Sequence, residues 1–144
     1  MRRLVKLMIE VWIDGLCEPV NPGGIACTGY LIKKDGKVLA KTSEVIGRGK
    51  GMTNNVAEYT ALIRAVEKIV QLGLARQEIL VRSDSRLIVN QMNGNWEVKA
   101  PLILPLYKKA KMTTTTMNIK FNWVPREQNT EADALCRTAY ESLR

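Results

Sequence analysis

Residues 53–85 read TNNVAEYTALIRAVEKIVQLGLARQEILVRSDS, and the fold turns on them. Thr53 or Asn54 supplies a capping side chain, residues 55–72 carry apolar side chains at helical spacing, and Gly73 stops the helix. Residues 77–83 then form a short apolar strand around Ile79-Leu80-Val81 that runs into Asp84. A helix followed by such a strand reads as a crossover between parallel neighbours. Upstream, residues 4–14 are mostly β-branched or aromatic, which predicts a largely buried strand ending at Asp14-Gly15. A loop with Pro19, Asn21, Pro22, Gly23 and Gly24 follows. Residues 25–33 and 38–46 read as two more strands joined by a hairpin turn at Lys34-Asp35-Gly36-Lys37, with residues 47–51 as a loop.

Downstream, residues 85–92 suggest a short helix ended by Asn93-Gly94, and Pro101 starts a helix to about Met112. Residues 118–124 read as a fifth strand, and Asn129 caps a last helix. The order βββαβααβα implies an α/β (α+β) fold. It has a five-stranded mixed sheet, antiparallel over its first three strands, with crossover helices on both faces. No repeat or linker interrupts residues 1–144, so one domain is expected.

The chain has 144 residues, 22 Lys+Arg against 14 Asp+Glu, and no histidine. The formal net charge of +8 favours a polyanionic partner. Without histidine there is no Ser-His-Asp triad, no Cys-His dyad and no imidazole-ligated zinc. Catalysis must run on carboxylates, thiols, lysine, tyrosine or hydroxyls. Cys17, Cys27 and Cys136 are odd in number and lack C-x-x-C spacing, which points to free thiols in a reducing, cytoplasmic setting. Lys6 and Glu10 break the first apolar stretch, so a signal peptide is not expected. Nor does any run approach the ~20 apolar residues of a membrane span.

Asp14 and Asp84 each close an apolar strand. On parallel neighbours joined by a crossover, both carboxylates lie at the carboxyl edge of the sheet, where α/β folds bind ligands. Either Asp taken alone also reads as a turn starter or a cap. Glu58 is sharper. At ~100° per residue it falls among Leu62, Ala65, Val66 and Ile69, with Arg64, Glu67, Lys68 and Gln71 opposite. A carboxylate facing a core costs several kcal/mol unless paired or bound to metal; its nearness to the helix start leaves escape to solvent as the alternative. Asp133 opens the final helix, where the dipole alone favours an acid. If the four converge, a cation must neutralise them. Oxygen-only donors suit Mg²⁺ or Mn²⁺, and two such ions can drive in-line phosphodiester displacement.

Four segments around these acids resemble the type 1 ribonuclease H family. They are Asp14-Gly15-Leu16-Cys17 followed by Asn21-Pro22-Gly23-Gly24, then Thr53-Asn54-Asn55-Val56-Ala57-Glu58, Ser83-Asp84-Ser85, and Asn129-Thr130-Glu131-Ala132-Asp133. They occur in order and span most of the chain. The resemblance implies the ribonuclease H-like fold and an endonuclease that hydrolyses the RNA strand of RNA/DNA hybrids, leaving 5′-phosphate and 3′-hydroxyl ends. It leaves double-stranded RNA open as a second substrate. It further implies that Asp14, Glu58, Asp84 and Asp133 hold two Mg²⁺ or Mn²⁺ ions. Gly15, Cys17, Asn21, Asn54, Asn55 and Ser85 would contact substrate, as fits recognition of 2′-hydroxyls in a wide minor groove. Helix capping is the alternative for Asn54 and Asn55.

Two departures stand out. The loop in which many members carry a histidine reads Pro125-Arg126-Glu127-Gln128, where Arg126 can hold a phosphate but not shuttle protons. The lysine-rich insertion that many members place after the third acid is missing, as in the shorter archaeal and bacterial forms. Trp96 could stack on a base or sugar or simply be buried. Lys99, Lys108, Lys109 and Lys111 are candidate phosphate contacts or ordinary solvated charges. Two other readings stay open at this level: a binding module without turnover, and an α/β domain whose acids only cap helices.

Overall fold

A computed structural model of the chain describes residues 8–143. The expected elements occur in the expected order: β1 (Ile9–Glu18), β2 (Gly23–Lys34), β3 (Lys37–Gly49), α1 (Asn54–Gln71), β4 (Ile79–Ser83), α2 (Arg86–Met92), α3 (Leu104–Thr114), β5 (Ile119–Trp123) and α4 (Thr130–Glu141). A 3₁₀ turn at Arg126–Gln128 precedes α4. The strands form one sheet in the order β3-β2-β1-β4-β5. Pairing is antiparallel for β1–β2 and β2–β3 and parallel for β1–β4 and β4–β5.

β1 differs from expectation at both ends. Residues 4–7 lie outside the described residues, and the strand does not stop at Asp14 but runs on to Glu18. β2 sustains it, pairing from Asp14 with Gly29 through to Glu18 with Ile25. The parallel ladder with β4 ends earlier, at Trp12 opposite Arg82. Asp14 therefore sits mid-strand toward β2 and beyond the carboxyl end of the ladder toward β4. β3 likewise extends to Gly49 and absorbs part of the expected loop. The hairpin turn is as read, with Asp35 (φ 53°) and Gly36 (φ 73°) both left-handed as a type I′ turn requires.

α3 starts at Leu104 rather than Pro101. A helix from Pro101 would bury Pro105 in its interior, where the ring lacks an N–H and clashes with the carbonyl four residues back; starting at Leu104 places Pro105 in the first turn. α1 is capped by Thr53, whose hydroxyl accepts from Val56 N at 3.0 Å, and Gly73 (φ 75°) follows its end.

Two layers flank the sheet. On one face Ile9, Val11, Ile13, Ile79 and Val81 meet Leu62, Val66 and Ile69 of α1, Ile88 of α2 and Ala110 of α3. Each large side chain buried there stabilises the fold by roughly 1.5–3 kcal/mol. On the other, Leu16 and Cys27 meet Cys136 and Ala139 of α4. Helices thus cover both faces, with the crossovers α1 to α3 sharing one and α4 covering the other. Glycine permits the closest approaches. A Cβ on Gly15 would press into α1, and one on Gly29 would meet Ala132 O at 2.7 Å in α4.

Candidate active site

The register of the sheet brings the acids together. Trp12 pairs with Arg82, so Asp14 and Asp84, two residues further along each chain, lie level past the end of the β1–β4 ladder. Glu58 reaches the same point from the first turns of α1. One oxygen from each of Asp14, Glu58 and Asp84 lies within 4.8 Å of the others. Glu58 is 6% exposed, so the helical wheel placed it correctly, and escape to solvent does not occur. Its Oε2 is buried with no hydrogen-bond partner among the described residues.

Asp133, at the start of α4, lines the same cavity of about 380 Å³, together with Gly15, Cys17, Asn54, Ser85 and Arg126. The other expected contacts lie apart. Asn21 and Asn55 join Asn54 in an adjoining groove of about 280 Å³ closed by Pro101 and Leu102. Trp96, 48% exposed, lines a further hollow with Leu104 and Tyr107. Asn54 does not cap α1, since Thr53 does. Its Oδ1 accepts from Asn21 Nδ2 at 2.8 Å while its backbone N–H donates to Asn21 Oδ1 at 3.1 Å, which ties the Pro19–Gly24 loop to the helix start. Of the lysines, Lys111 donates to Met92 O and Lys109 and Lys99 face Glu67 and Glu97.

Asn129 makes no side-chain cap bond to α4. Its Nδ2 instead donates to Ile13 O at 2.9 Å, reaching across to β1. Ser85 does cap α2, accepting from Ile88 N. Sequence reasoning missed Glu18 and Arg137, which pair at 2.6 Å on the cavity rim. The helical spacing of Arg137, four residues after Asp133, was the available signal.

Crowding and burial favour protonated acids here. Burial first, then Asp84 and Asp133, pushes Asp14 up to about 7. Glu58 is held well above its usual range by burial and by the charges of Asp14 and Asp84. Burial also raises Asp84, opposed by the Arg126 guanidinium and by a hydrogen bond from Asn129. Burial and the neighbouring acids push the Cys136 thiol up, so it is no thiolate nucleophile. What remains is a set of hard oxygen donors whose mutual repulsion and unpaired oxygen fit a divalent cation.

A family model described as reverse transcriptase-like matches residues 14–139. Among solved structures, an enzyme titled LC11-RNase H1, in complex with an RNA/DNA hybrid, superposes with a TM-score of 0.85 at 37% identity, covering 94% of this chain and 99% of that one. The chain belongs to the type 1 ribonuclease H family. Within it, the N-terminal RNase H domain of a Mycobacterium tuberculosis protein, solved as a fusion with maltose-binding protein, gives a TM-score of 0.84 at 38% identity over 95% of this chain and 96% of that one. The ribonuclease H1 of the archaeon Halobacterium salinarum gives 0.84 at 31% identity over 94% and 98%. The full-length mycobacterial relative, named a bifunctional protein, is 42% identical over 140 residues, and the chain spans 36% of its length. The ribonuclease H family is divalent-metal dependent, and the all-oxygen donor set found here is of the matching kind. Among the described residues, no helix is long and apolar enough to cross a membrane.

Proposed function

We propose that this chain is an endonuclease that cuts the RNA strand of RNA/DNA hybrids, with Asp14, Glu58, Asp84 and Asp133 holding two Mg²⁺ or Mn²⁺ ions. The observation that carries the reading is the convergence of three carboxylates to within 4.8 Å around a buried, unpaired Glu58 oxygen. Bound there, the ions supply Lewis acidity at the scissile phosphate and the charge that keeps the acids ionised. Asp14, Glu58 and Asp84 fix the geometry from three rigid elements, β1, α1 and the β4–α2 junction. Asp133 approaches from α4 on the opposite face. Arg126 and Arg137 flank the acids and offer guanidinium forks to phosphates. The Asn21–Asn54 pair and Asn55 line the adjoining groove, where short polar groups suit 2′-hydroxyl recognition.

A binding module without turnover would have no use for a buried, repelling acid set, so the enzymatic reading is preferred. Residues 1–144 act as one catalytic domain in this reading, and the three free thiols suit a reducing cytoplasm. The test is cleavage of RNA/DNA hybrid, double-stranded RNA, duplex DNA and a duplex with one ribonucleotide, each with Mg²⁺, Mn²⁺ or chelator. Hybrid cleavage that chelator stops, and that Asp84→Asn abolishes, is expected. Substantial cleavage by Asp84→Asn would reject the assignment.

A further inference from the structure

Asp14 and Asp84 stand past the end of the ladder that joins their two strands, although β2 still pairs with β1 at Asp14. The last rung between β1 and β4 is Trp12 with Arg82, and the chain beside Asp84 makes its last main-chain bond to the β5 side at Ser83, whose carbonyl accepts from Val124 N at 2.9 Å. Two side chains from the stretch that runs from the last residue of β5 to the start of α4 take over. Trp123 Nε1 donates to the Asp84 carbonyl at 3.1 Å. The Arg86 guanidinium lies 4.0 Å from the centre of the Trp123 ring and fixes the indole from the α2 side. Six residues on, Asn129 is 1% exposed and gives up the cap bond its position offers. Its amide donates at 2.9 Å to the Ile13 carbonyl, the peptide that leads into Asp14.

We propose that Trp123 and Asn129 are positioning residues that carry the register of β1 against β4 past its last backbone rung and set the separation of the Asp14 and Asp84 carboxylates for a shared divalent cation. The inference rests on the metal-centre reading above. Mg²⁺ demands near-ideal geometry at about 2.0–2.1 Å, so a peptide free to swing loses a ligand even though every acid is still present. Both donors come from the segment that also carries Arg126 and leads into Asp133. Asp14, Asp84 and Asp133 are thereby referred to one stretch of chain.

The experiment is calorimetric titration of the substrate-free protein with Mn²⁺, run beside steady-state cleavage of a hybrid. Trp123→Phe keeps an aromatic face for Arg86 and removes the N–H together with the second ring of a side chain that is 38% exposed; Asn129→Leu keeps the branched shape and removes the amide that serves the Ile13 carbonyl and the Asp84 carboxyl group. Each is expected to weaken Mn²⁺ binding by about tenfold and to lower kcat at limiting Mn²⁺ by about tenfold or more. KM for the hybrid should stay within about twofold, and excess Mn²⁺ should restore part of kcat. Arg86→Gln, which frees the indole face, should show a smaller loss in the same direction. Asn129→Leu strands a buried carbonyl, and if it does not fold, Trp123→Phe alone decides the outcome. Unchanged Mn²⁺ affinity in Trp123→Phe overturns the proposal, whatever the melting temperature does. A wild type that binds Mn²⁺ but cuts no hybrid overturns the functional reading and leaves the positioning role to the calorimetry. A wild type that binds no Mn²⁺ overturns both.

Discussion

Gly15 and Glu58 meet backbone to backbone: a Cβ on Gly15 would lie 2.4 Å from Glu58 N and 2.5 Å from Ala57 C. Neither atom is the end of a flexible side chain, so α1 itself would have to retreat. That close approach is what lets a helix acid reach a strand acid. Gly15→Ala is therefore expected to cost about 1–3 kcal/mol of stability through overpacking. It should also lower kcat by on the order of a hundredfold through displaced carboxylates. Thermal unfolding and hybrid cleavage measure the two effects, and an unchanged kcat would mean that α1 moves without carrying Glu58 along.

The neighbouring residues Thr53 and Asn54 divide two tasks that sequence leaves interchangeable. Thr53 caps α1, so Thr53→Ala should lose about 1 kcal/mol of unfolding free energy, read from urea denaturation. Asn54 instead ties down Asn21 at an exposed position. Asn54→Ala should leave the denaturation midpoint nearly unmoved and raise KM for the hybrid several-fold. The reverse pattern would return the cap to Asn54.

Most of the fold was legible because its signals are local. Hydrophobic periodicity marked α1, Asp35-Gly36 marked the hairpin, and Gly73 marked a helix end. Glu58 was legible for the opposite reason, as an acid in an apolar arc with no local justification. What stayed hidden depends on partners far away in sequence. β1 outruns Asp14 because β2 keeps pairing with it. Asn129 abandons its cap because a carbonyl 116 positions earlier is within reach. The Glu18–Arg137 pair joins the end of β1 to α4 across the sheet edge. Asp133 had a local explanation at a helix N-terminus, and its place in the shared cavity, where it acts on Asp14 and Asp84, distinguishes it from an ordinary dipole partner.

The acid cluster links stability to pH with a definite sign. Folded Asp14 binds its proton up to about 7, whereas an unfolded Asp releases it near 3.8; Glu58 is displaced in the same direction. Between those values the folded state holds protons that the unfolded state has lost. Stability is then highest on the acid side of the window and falls as pH rises toward 7. Metal-free protein should accordingly melt several degrees lower at pH 8 than at pH 5, taking roughly 2–4 °C per kcal/mol for a chain of this size. Excess Mg²⁺ should raise the melting temperature more at pH 8 than at pH 5, because it binds the ionised set. Asp14→Asn should flatten the metal-free dependence. A melting temperature that rises with pH in chelator would contradict the raised acid values.

Arg126 sits on the 3₁₀ turn beside the cavity, and its guanidinium favours the ionised form of Asp84. A guanidinium is a poor proton donor, so Arg126 can grip a phosphate and oppose the upward push on Asp84 but is no proton shuttle. Arg126→Ala should raise KM for the hybrid by about three- to tenfold and reduce kcat less. It should also flatten the log–log salt dependence of binding by roughly the 0.7–0.9 expected for one phosphate contact. Losing the guanidinium lets the Asp84 pKa climb, so the acidic limb of the pH–rate profile should move to higher pH. Arg126→Lys keeps the charge without the fork and should restore the acidic limb more fully than KM. With no histidine in the chain, no limb near pH 6.5 belongs to an imidazole. A KM and salt slope both unchanged in Arg126→Ala would remove Arg126 from the substrate surface.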